Sequence, residues 1–283
     1  MNATLLGMLA ETSIHPGSGQ DAGFVDLPVA REAATDYPVI VGSSLKGALL
    51  DRAREKQADG SPAIPDYKTV FGEQNNAGQL LVGDARLLLL PVRSLQGSYK
   101  WVTCPHLLER FHRDRARAFG IQSSIASVQV GKGEYFGQGE ALLFLEERQF
   151  TFSGELPTPI IEQLSLLMAS MGNHLKQRLV ILNDDDFAWF ARYGLAVNAR
   201  NRLAPETKTT SGGGLWYEET IPPDSLFYCL LAERERGRAL QQVVSMLKSR
   251  PYLQVGGNET VGQGWFAIKQ MVDDAAEAAG GTA

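Results

Sequence analysis

The sequence predicts an α+β fold with insertions, because helical and extended segments are mixed along the chain without a strict alternation. Some apolar residues recur at helical spacing and others form β-type runs, but the two kinds of segment do not alternate as βαβ units. A doubly wound sheet would require that alternation. With 283 residues, a chain of this size buries roughly 75% of its unfolded surface and needs no disulfide or metal for stability.

In the first part of the chain, glycines, prolines and serines mark where each element begins and ends. Gly42 begins a helix that extends to about Gln57, with apolar residues at helical spacing and Ser43 or Ser44 as the expected N-cap. The predicted elements in order are a strand (Thr4–Thr12), a loop (His15–Gly23), extended segments (Phe24–Val29 and Val39–Val41), that helix, a strand interrupted at Gly83 and Asp84 (Leu80–Val92) and a basic helix (Pro105–Phe119).

The remainder continues the mixture of strands and helices. Asn198–Gly214 is polar, partly basic and ends in three glycines, so we expect an irregular segment there. The acidic residues before Phe187 are expected to form a turn, and the tail at residues 273–283 is expected to be disordered. The other predicted elements are strands (Ala141–Phe152, Leu215–Glu219, Ser225–Ala232, Tyr252–Val255 and Trp265–Met271) and helices (Pro159–Asn173, Phe187–Tyr193 and Arg238–Ser249).

The cysteines and the N-terminus indicate the compartment. Cys104 and Cys229 match no metal-binding or redox spacing, which favours a reducing cytoplasm. The first residues lack the basic flank and cleavage site of a signal peptide. No apolar run approaches the ~20 residues that span a bilayer. We therefore expect a soluble cytoplasmic protein without a membrane partner.

Charge is distributed unevenly along the chain, whose formal net charge is −5. Asp184–Asp186 and the tail after Val272 each carry three negative charges, so the remainder carries a net charge of +1. Local basic surfaces are then possible at Lys46–Lys56, Arg110–Arg117 and Arg192–Lys208. This composition excludes indiscriminate nucleic-acid binding, but it allows a specific basic groove.

A glycine loop near the C-terminus is the most informative single feature. Four of the nine residues from Gly256 to Gly264 are glycine, and β-type runs flank them. Glycines in such a place allow another group to approach the backbone closely, and successive N–H groups suit a phosphate oxygen. The loop has neither the Walker spacing nor the helix and later acid of a dinucleotide site. The pattern favours a phosphate-rich polymer.

Ser43–Ser44–Leu45–Lys46 allows two interpretations. The run is a literal Ser-x-x-Lys, the nucleophile motif of penicillin-recognising enzymes, but its companion motifs are absent. The alternative is an anion site made by a helix N-terminus and the Lys46 ammonium. An acyl-transfer enzyme is therefore the less favoured hypothesis.

His15 and Asp26 also allow two interpretations. They can be a loop histidine and a turn-capping aspartate, or they can act in acid–base chemistry at a scissile phosphate. A zinc site is poorly supported, because neither a cysteine nor a second histidine accompanies them. Tyr217–Glu219 can equally be the solvated edge of a strand, and Arg110–Arg117 a hydrated helix face.

Taken in order, these stretches resemble the RAMP superfamily. More narrowly, they resemble the fourth subunit of the Cmr complex, the type III-B CRISPR effector. The similarity extends from about Thr4 to Met271 and predicts one domain over residues 1–272, although Leu50 stands where relatives often carry arginine. The segments that carry it are His15–Gln20, Phe24–Glu32, Pro38–Leu49, Pro205–Thr209, Gly213–Glu219 and Gly256–Gly264.

That resemblance implies a ferredoxin-like (RNA-recognition-motif-like) core with inserted helices and a protruding β-hairpin thumb, which includes residues 198–214. Copies of the chain would stack along a CRISPR RNA beside other Cmr subunits, each thumb displacing one nucleotide at six-nucleotide intervals. Complementary target RNA would be cut beside each displaced position with a divalent metal, Mg²⁺ or Mn²⁺. The chain would be a metal-dependent endoribonuclease of antiviral defence.

The resemblance also implies roles for individual residues. Asp26 matches the catalytic position and would also bind the metal. A non-catalytic RNA-binding scaffold with an inert Asp26 is the alternative, because members of the superfamily are of both kinds. The other predicted site residues are His15, Tyr217, Glu218 and Glu219 beside Asp26, and, for RNA binding, Ser43, Ser44, Lys46, Arg200, Arg202, Lys208, Gly256, Gly257, Gly262 and Gly264.

Overall fold

The structure is a computed structural model that describes residues 2–19, 24–121, 128–203, 206–207, 209–235 and 237–272, with the backbone alone for 211–213. The predicted tail at 273–283 and the predicted RNA-binding residue Lys208 lie outside the described residues.

Strands and helices are mixed along the chain, as the sequence predicts. The strands are β1 (Ala3–Ala10), β2 (Val39–Ile40), β3 (Gly72–Glu73), β4 (Asn76–Ala77), β5 (Leu80–Val82), β6 (Ala85–Arg93), β7 (Tyr99–Thr103), β8 (Glu134–Gly137), β9 (Leu142–Leu145), β10 (Arg148–Gly154), β11 (Leu179–Leu182), β12 (Ala196–Leu203), β13 (Thr210–Thr220), β14 (Leu226–Glu233), β15 (Tyr252–Gln254) and β16 (Trp265–Gln270). The helices are α1 (Gly42–Arg54), α2 (Tyr67–Phe71), α3 (Pro105–Phe119), α4 (Thr158–Ser165), α5 (Leu175–Arg178), α6 (Asp184–Tyr193) and α7 (Ala239–Ser249), with 3₁₀ turns at Gly172–His174 and Glu259–Val261.

Most strands join one mixed sheet in the order β15-β16-β1-β14-β6-β7-β11-β8-β10-β9, with β2 on β6 and β5 on β14. The neighbours β16, β1, β14 and β6 pair antiparallel, whereas β7–β11 and β8–β10 pair parallel. Residues 4–10 of β1 are all buried, because this strand lies inside the sheet and both of its faces are covered. The predicted α+β class is confirmed. The single domain over residues 1–272 stays a prediction.

Helices α1 and α7 contact each other, and α3 packs against β1 and β6. The predicted apolar stripe of α1 is confirmed, because Leu45, Leu49 and Ala53 are buried. The predicted serine N-cap is wrong. The N-cap position is Val41, and the carboxylate of Asp84, which interrupts β5 and β6, accepts a hydrogen bond of 2.7 Å from Gly42 N. A side chain distant in sequence thus caps the helix.

The sequence interpretation missed several strands, and it predicted one continuous strand where the structure has a hairpin. Strands β7, β8 and β11 and the short β3–β4 hairpin were not predicted, since their apolar runs are brief and their partners are distant in sequence. The predicted strand Ala141–Phe152 is a hairpin that turns at Glu146, whose φ is 49°. The predicted helix Pro159–Asn173 is wrong beyond Ser165, where α4 ends.

Two further segments are more regular than expected. The acidic run Asp184–Asp186 is the first turn of α6 rather than a turn before it, and Asn183 caps this helix by accepting a hydrogen bond of 3.0 Å from Asp185 N. The predicted irregular segment Asn198–Gly214 is wrong. Its residues 198–203 and 210–214 lie in the strands of the antiparallel β12–β13 hairpin, whose pairing begins at Ala196 and Thr220.

Two observations bear on the predicted compartment and chemistry. No helix within the described ranges is long and apolar enough to cross a membrane. Cys104 and Cys229 are buried and unpaired. Burial raises the pKa of both thiols, that of Cys229 to about 12, so neither is a reactive nucleophile at neutral pH.

Candidate functional site

Four separate segments meet at the root of the β12–β13 hairpin: the segment after β1, the loop at residues 24–31, the end of β13 and the glycine loop between β15 and β16. Ile14 and Ile221 exchange backbone hydrogen bonds of 3.0 and 2.9 Å. The glycine loop joins the same place, because Gly257 N donates to His15 O at 2.9 Å. Predicted site residues from distant parts of the sequence are thereby brought together.

Asp26 is held at this root and is exposed. Tyr217 N donates to Oδ2 of Asp26 at 2.7 Å. Directly after that bond along both segments, Leu27 N donates to Tyr217 O at 3.1 Å and Glu219 N donates to Leu27 O at 3.0 Å. Among the described residues, nothing else bonds to the Asp26 carboxylate. Its Oδ1 is therefore free to act on a ligand, while strand pairing restrains the backbone.

His15 lies on the same edge of β13 and is buried. Its Nδ1 is 2.8 Å from Glu219 O, and because a carbonyl can only accept, Nδ1 donates and carries the proton. In the neutral ring, Nε2 is then an acceptor. A Cβ on Gly17 would lie 3.1 Å from that Nε2, so a side chain at this position would press against the imidazole. Tyr217 and Glu219 are two residues apart, so the attachments of Asp26 and His15 lie roughly 7 Å apart along the strand.

Glu218 is buried and anchors the hairpin to the glycine loop. Its Oε1 accepts hydrogen bonds from Asn258 Nδ2 at 2.7 Å and from Arg200 Nη2 at 3.1 Å. Arg200, predicted to bind RNA, is therefore paired with a carboxylate of its own hairpin. Asn258 has a φ of 64°, a conformation that asparagine tolerates better than most residues.

Glu219 is also buried, and it points to the opposite face because neighbouring residues of a strand alternate. Its Oε1 lies 2.6 Å from Arg31 Nη2, and its Oε2 accepts a hydrogen bond of 3.0 Å from Val29 N. Both carboxylates of the Glu218–Glu219 pair are thus engaged within the protein. Asp26 is the exposed carboxylate among those predicted to be catalytic.

The glycine loop serves close packing of the chain on itself, which the sequence interpretation did not anticipate. A Cβ on Gly256, whose φ is +94°, would lie 2.7 Å from His15 O. The N–H groups of Gly257, Gly262 and Gly264 donate to carbonyls of the chain itself at 2.9 to 3.0 Å. The expectation that these three N–H groups are open to a phosphate is wrong, because they are already used.

The start of α1, where the sequence predicts an anion site, is occupied by the Asp84 carboxylate. Since this carboxylate caps Gly42, a negative charge already occupies the helix N-terminus. Ser43 and Ser44 are exposed and Lys46 is half-buried. Lys46 lines an open groove of about 420 Å³ together with Arg234 and the β3–β4 hairpin. The side chains of Lys46 and Arg234, rather than the helix N–H groups, supply the positive charge in this groove.

The β12–β13 hairpin has two different faces. Val197, Leu215 and Tyr217 share one face, since they alternate along the paired strands, and they are 49%, 58% and 44% exposed. The opposite face carries Arg200 and the half-buried Trp216. The face that carries the Tyr217 ring therefore presents exposed apolar side chains. Arg202, predicted to bind RNA, is exposed near the far end of β12.

The described residues contain no group of three or more His, Cys, Asp or Glu side chains able to hold a metal ion. Glu218 and Glu219 are occupied by ion pairs, which leaves Asp26 as the available carboxylate. Such a donor set suits Mg²⁺ that keeps several waters and is bound by one protein carboxylate and substrate phosphates. It does not suit a dedicated protein cage.

Sequence interpretation missed three residues that shape the predicted sites: Arg31 and Asn258 at the hairpin root, and Asp84 at the start of α1. Each bonds to a partner far away in the sequence, as Arg31 does to Glu219 across 188 positions. A charged residue directly after the Asp26 loop was the available signal for Arg31. The pairing of Arg31 with Glu219 had no signal, because a local pattern does not report long-range pairs.

Comparison with known proteins supports the resemblance to the RAMP superfamily. The family model of the RAMP superfamily matches residues 8–267. The "CRISPR system Cmr endoribonuclease Cmr4" of Pyrococcus furiosus is 34% identical over 95% of this chain and 95% of that protein. The chain belongs to the RAMP superfamily, among the Cmr4 proteins.

Other members of the Cmr4 family are similar over the same length. The "CRISPR system CMR subunit Cmr4" of Saccharolobus solfataricus is 28% identical over 93% of this chain and 95% of that protein. A crystal structure of oligomeric Cmr4 from Pyrococcus furiosus superposes with a TM-score of 0.75 and 28% identity, covering 96% of this chain and all of that one. A type III-B Cmr-beta complex bound to cognate target RNA contains a chain with the same fold, with a TM-score of 0.77 at 24% identity and coverage of 95% and 97%.

Proposed function

We propose that this chain is a backbone subunit of a type III-B CRISPR effector, which binds CRISPR RNA and cuts complementary target RNA at six-nucleotide intervals. One observation carries the proposal. Asp26 is exposed, yet its carboxylate is bonded to Tyr217 N at 2.7 Å at the root of a projecting hairpin. The name endoribonuclease of the Pyrococcus furiosus relative supports the reaction type.

The proposed fold is a ferredoxin-like core with a thumb. Its support is the sheet order β16-β1-β14-β6 with antiparallel neighbours, together with α1 after β1 and α7 after β14. That order is the one expected of a βαββαβ unit. The thumb is the β12–β13 hairpin, which pairs with itself as a separate two-stranded sheet.

RNA cleavage requires in-line attack on a phosphate, and most of the necessary geometry comes from positioning a displaced nucleotide. In the proposed reaction, Asp26 accepts the proton of the attacking 2′-hydroxyl as its oxygen bonds to phosphorus. The bond from phosphorus to the 5′ oxygen breaks, and this leaving oxygen takes a proton from water. His15 Nε2, an acceptor in the neutral ring, is the second group available for a proton. Glu218 and Glu219 hold the thumb root in place, and the exposed Tyr217 ring lies beside the displaced nucleotide.

A divalent metal, Mg²⁺ or Mn²⁺, would be held by Asp26 together with phosphate oxygens of the RNA. When bound, it would neutralise developing charge on the phosphate. Asp26 has one carboxylate oxygen bonded to Tyr217 N, and the other remains for this role.

Assembly along RNA is part of the proposal. The oligomeric state named for the Pyrococcus furiosus structure supports partnership with other copies of this chain, and the Cmr complexes support partnership with other Cmr subunits. A guide contacted through its backbone needs no base-specific residues. The buried, unpaired Cys104 and Cys229 support the predicted cytoplasmic location, where thiols stay reduced.

Reconstitution tests the function. The complex is assembled from this chain, the other Cmr subunits and a guide RNA, then given end-labelled complementary or scrambled target RNA, with Mg²⁺ or with a chelator. We expect a ladder of products with six-nucleotide spacing from the complementary target in Mg²⁺ alone. Binding of the complementary target without any cleavage would instead favour the scaffold alternative.

Lys46→Ala should weaken guide binding for all sequences alike, because a phosphate contact carries no sequence information. The slope of log affinity against log salt should fall by about 1. A filter-binding titration measures this, with Lys132→Ala, an exposed lysine outside the groove, as the matched control. An unchanged slope for Lys46→Ala would show that this lysine does not contact the guide.

A further inference from the structure

The segment that carries Asp26 is followed by two charged residues that anchor it to different parts of the fold. Arg31 Nη2 lies 2.6 Å from Glu219 Oε1, and these side chains are only 17% and 9% exposed. Glu32 receives hydrogen bonds of 2.8 and 2.7 Å from Arg110 Nη1 on α3. Arg110, expected to be part of a basic surface, is thus buried in an ion pair that secures this segment.

The Arg31 guanidinium also satisfies the end of α6. Its Nη1 donates to Ala191 O and to Asp36 O, each at 2.8 Å, and its Nη2 is 3.5 Å from Arg192 O. The last carbonyls of a helix lack partners within the helix, and a cation there is favoured by the helix dipole. A planar guanidinium with five donors can serve these acceptors together, whereas a lysine ammonium has three donors.

Glu219 transmits this anchoring to the Asp26 loop. Its side chain accepts from Val29 N at 3.0 Å, and its own N–H donates to Leu27 O at 3.0 Å. Backbone and side chain of one residue therefore hold the loop directly after Asp26. Two residues earlier on β13, Tyr217 N meets the Asp26 carboxylate.

We propose that Arg31 is a positioning residue for RNA cleavage. By holding Glu219 against the end of α6, it sets the register in which Asp26 meets Tyr217 N. Arg31 acts through Glu219 and not on the reacting atoms. The proposal rests on the nuclease function proposed above, and it explains why a carboxylate next to the site is buried in an ion pair.

The test compares Arg31→Ala, Arg31→Lys, Glu219→Gln and the Arg31→Ala/Glu219→Gln double variant in reconstituted complexes. Arg86→Ala is the matched control, because Arg86 on β6 and Asp114 on α3 form an ion pair of the same 2.6 Å length, with side chains that are 35% and 9% exposed. Three quantities are measured: the single-turnover cleavage rate at saturating target, the target Kd, and hydrogen exchange at the Tyr217 amide in the purified chain.

We expect Arg31→Ala to slow the single-turnover rate by about 10²-fold, as misplacement of a catalytic group by about 1 Å does. The target Kd should be unchanged, and the Tyr217 amide should exchange faster. Arg31→Lys should slow cleavage less than Arg31→Ala, because the lysine keeps the ion pair with Glu219 and loses only contacts with backbone carbonyls. The double variant should be no slower than the slower single variant, because residues that act as one unit are not additive. Arg86→Ala should leave both the cleavage rate and the exchange at Tyr217 unchanged.

Wild-type cleavage and exchange rates in Arg31→Ala would overturn the proposal, as would an equal slowing of cleavage in Arg86→Ala. If Arg31→Ala does not fold, the same measurements are made on Arg31→Lys and Glu219→Gln. Wild-type cleavage and exchange rates in both of these variants would then overturn the proposal. Failure of the wild-type complex to cut would overturn the nuclease function instead. The exchange rate at Tyr217 would then decide by itself whether Arg31 sets the register of the Asp26 loop.

Discussion

Asp26→Asn and Asp26→Ala should each slow target cleavage by about 10² to 10⁴-fold, while guide and target binding stay near wild type. The magnitude is that expected when a general base is lost. The asparagine variant is informative because its side-chain oxygen can still accept the hydrogen bond from Tyr217 N. If the negative charge matters, cleavage slows to a similar extent in both variants. The measurement is the single-turnover rate of the purified complex.

Glu147→Gln is the matched control, since Glu147 is an exposed carboxylate in the turn between β9 and β10. It should cut at the wild-type rate. Full activity of Asp26→Ala would remove Asp26 from the reaction. Activity of Asp26→Asn together with loss in Asp26→Ala would make the side chain a structural element of the thumb root.

Removing residues 203–212 and closing the gap with a short linker should abolish the regular cleavage ladder, although Asp26 remains. The root of the hairpin is spared, because the pairs from Ala196 with Thr220 to Asn201 with Leu215 lie outside the deletion. Displacing a base costs a few kcal/mol, and without residues 203–212 the shortened hairpin no longer holds the nucleotide out. The products are resolved on a sequencing gel after circular dichroism has established that the variant is folded.

A second variant replaces residues 203–212 by a Gly/Ser segment of equal length, which separates the length of the tip from its side chains. A regular ladder from the deletion variant, assembled on guide RNA, would exclude this hairpin as the thumb. A regular ladder from the replacement variant, but not from the deletion variant, would show that displacement of the nucleotide depends on the length of the hairpin and not on the side chains of residues 203–212.

Sequence reasoning was most successful where a local pattern suffices. The apolar spacing in α1 predicted its buried stripe, and the ordered segments from His15 to Gly264 indicated the RAMP superfamily. The errors in predicting helices and strands also have local causes. The helix predicted over Pro159–Asn173 ignored the end of α4 at Ser165, and the polar, glycine-rich composition of Asn198–Gly214 concealed a regular hairpin.

The sequence by itself determined the fold class and the family, because local patterns predicted the elements and the order of several short motifs along the chain indicated the RAMP superfamily. One of those motifs, Phe24–Glu32, also pointed to the loop that carries Asp26. Only the tertiary structure decided which candidate carboxylate is open. Glu218 and Glu219 form ion pairs with Arg200 and Arg31. Asp26 bonds through one carboxylate oxygen to the N–H of Tyr217, which is 191 positions away in the sequence, and its other oxygen is free. The physical reason is that burial and pairing depend on contacts between distant segments, and a linear pattern of residue types does not contain them.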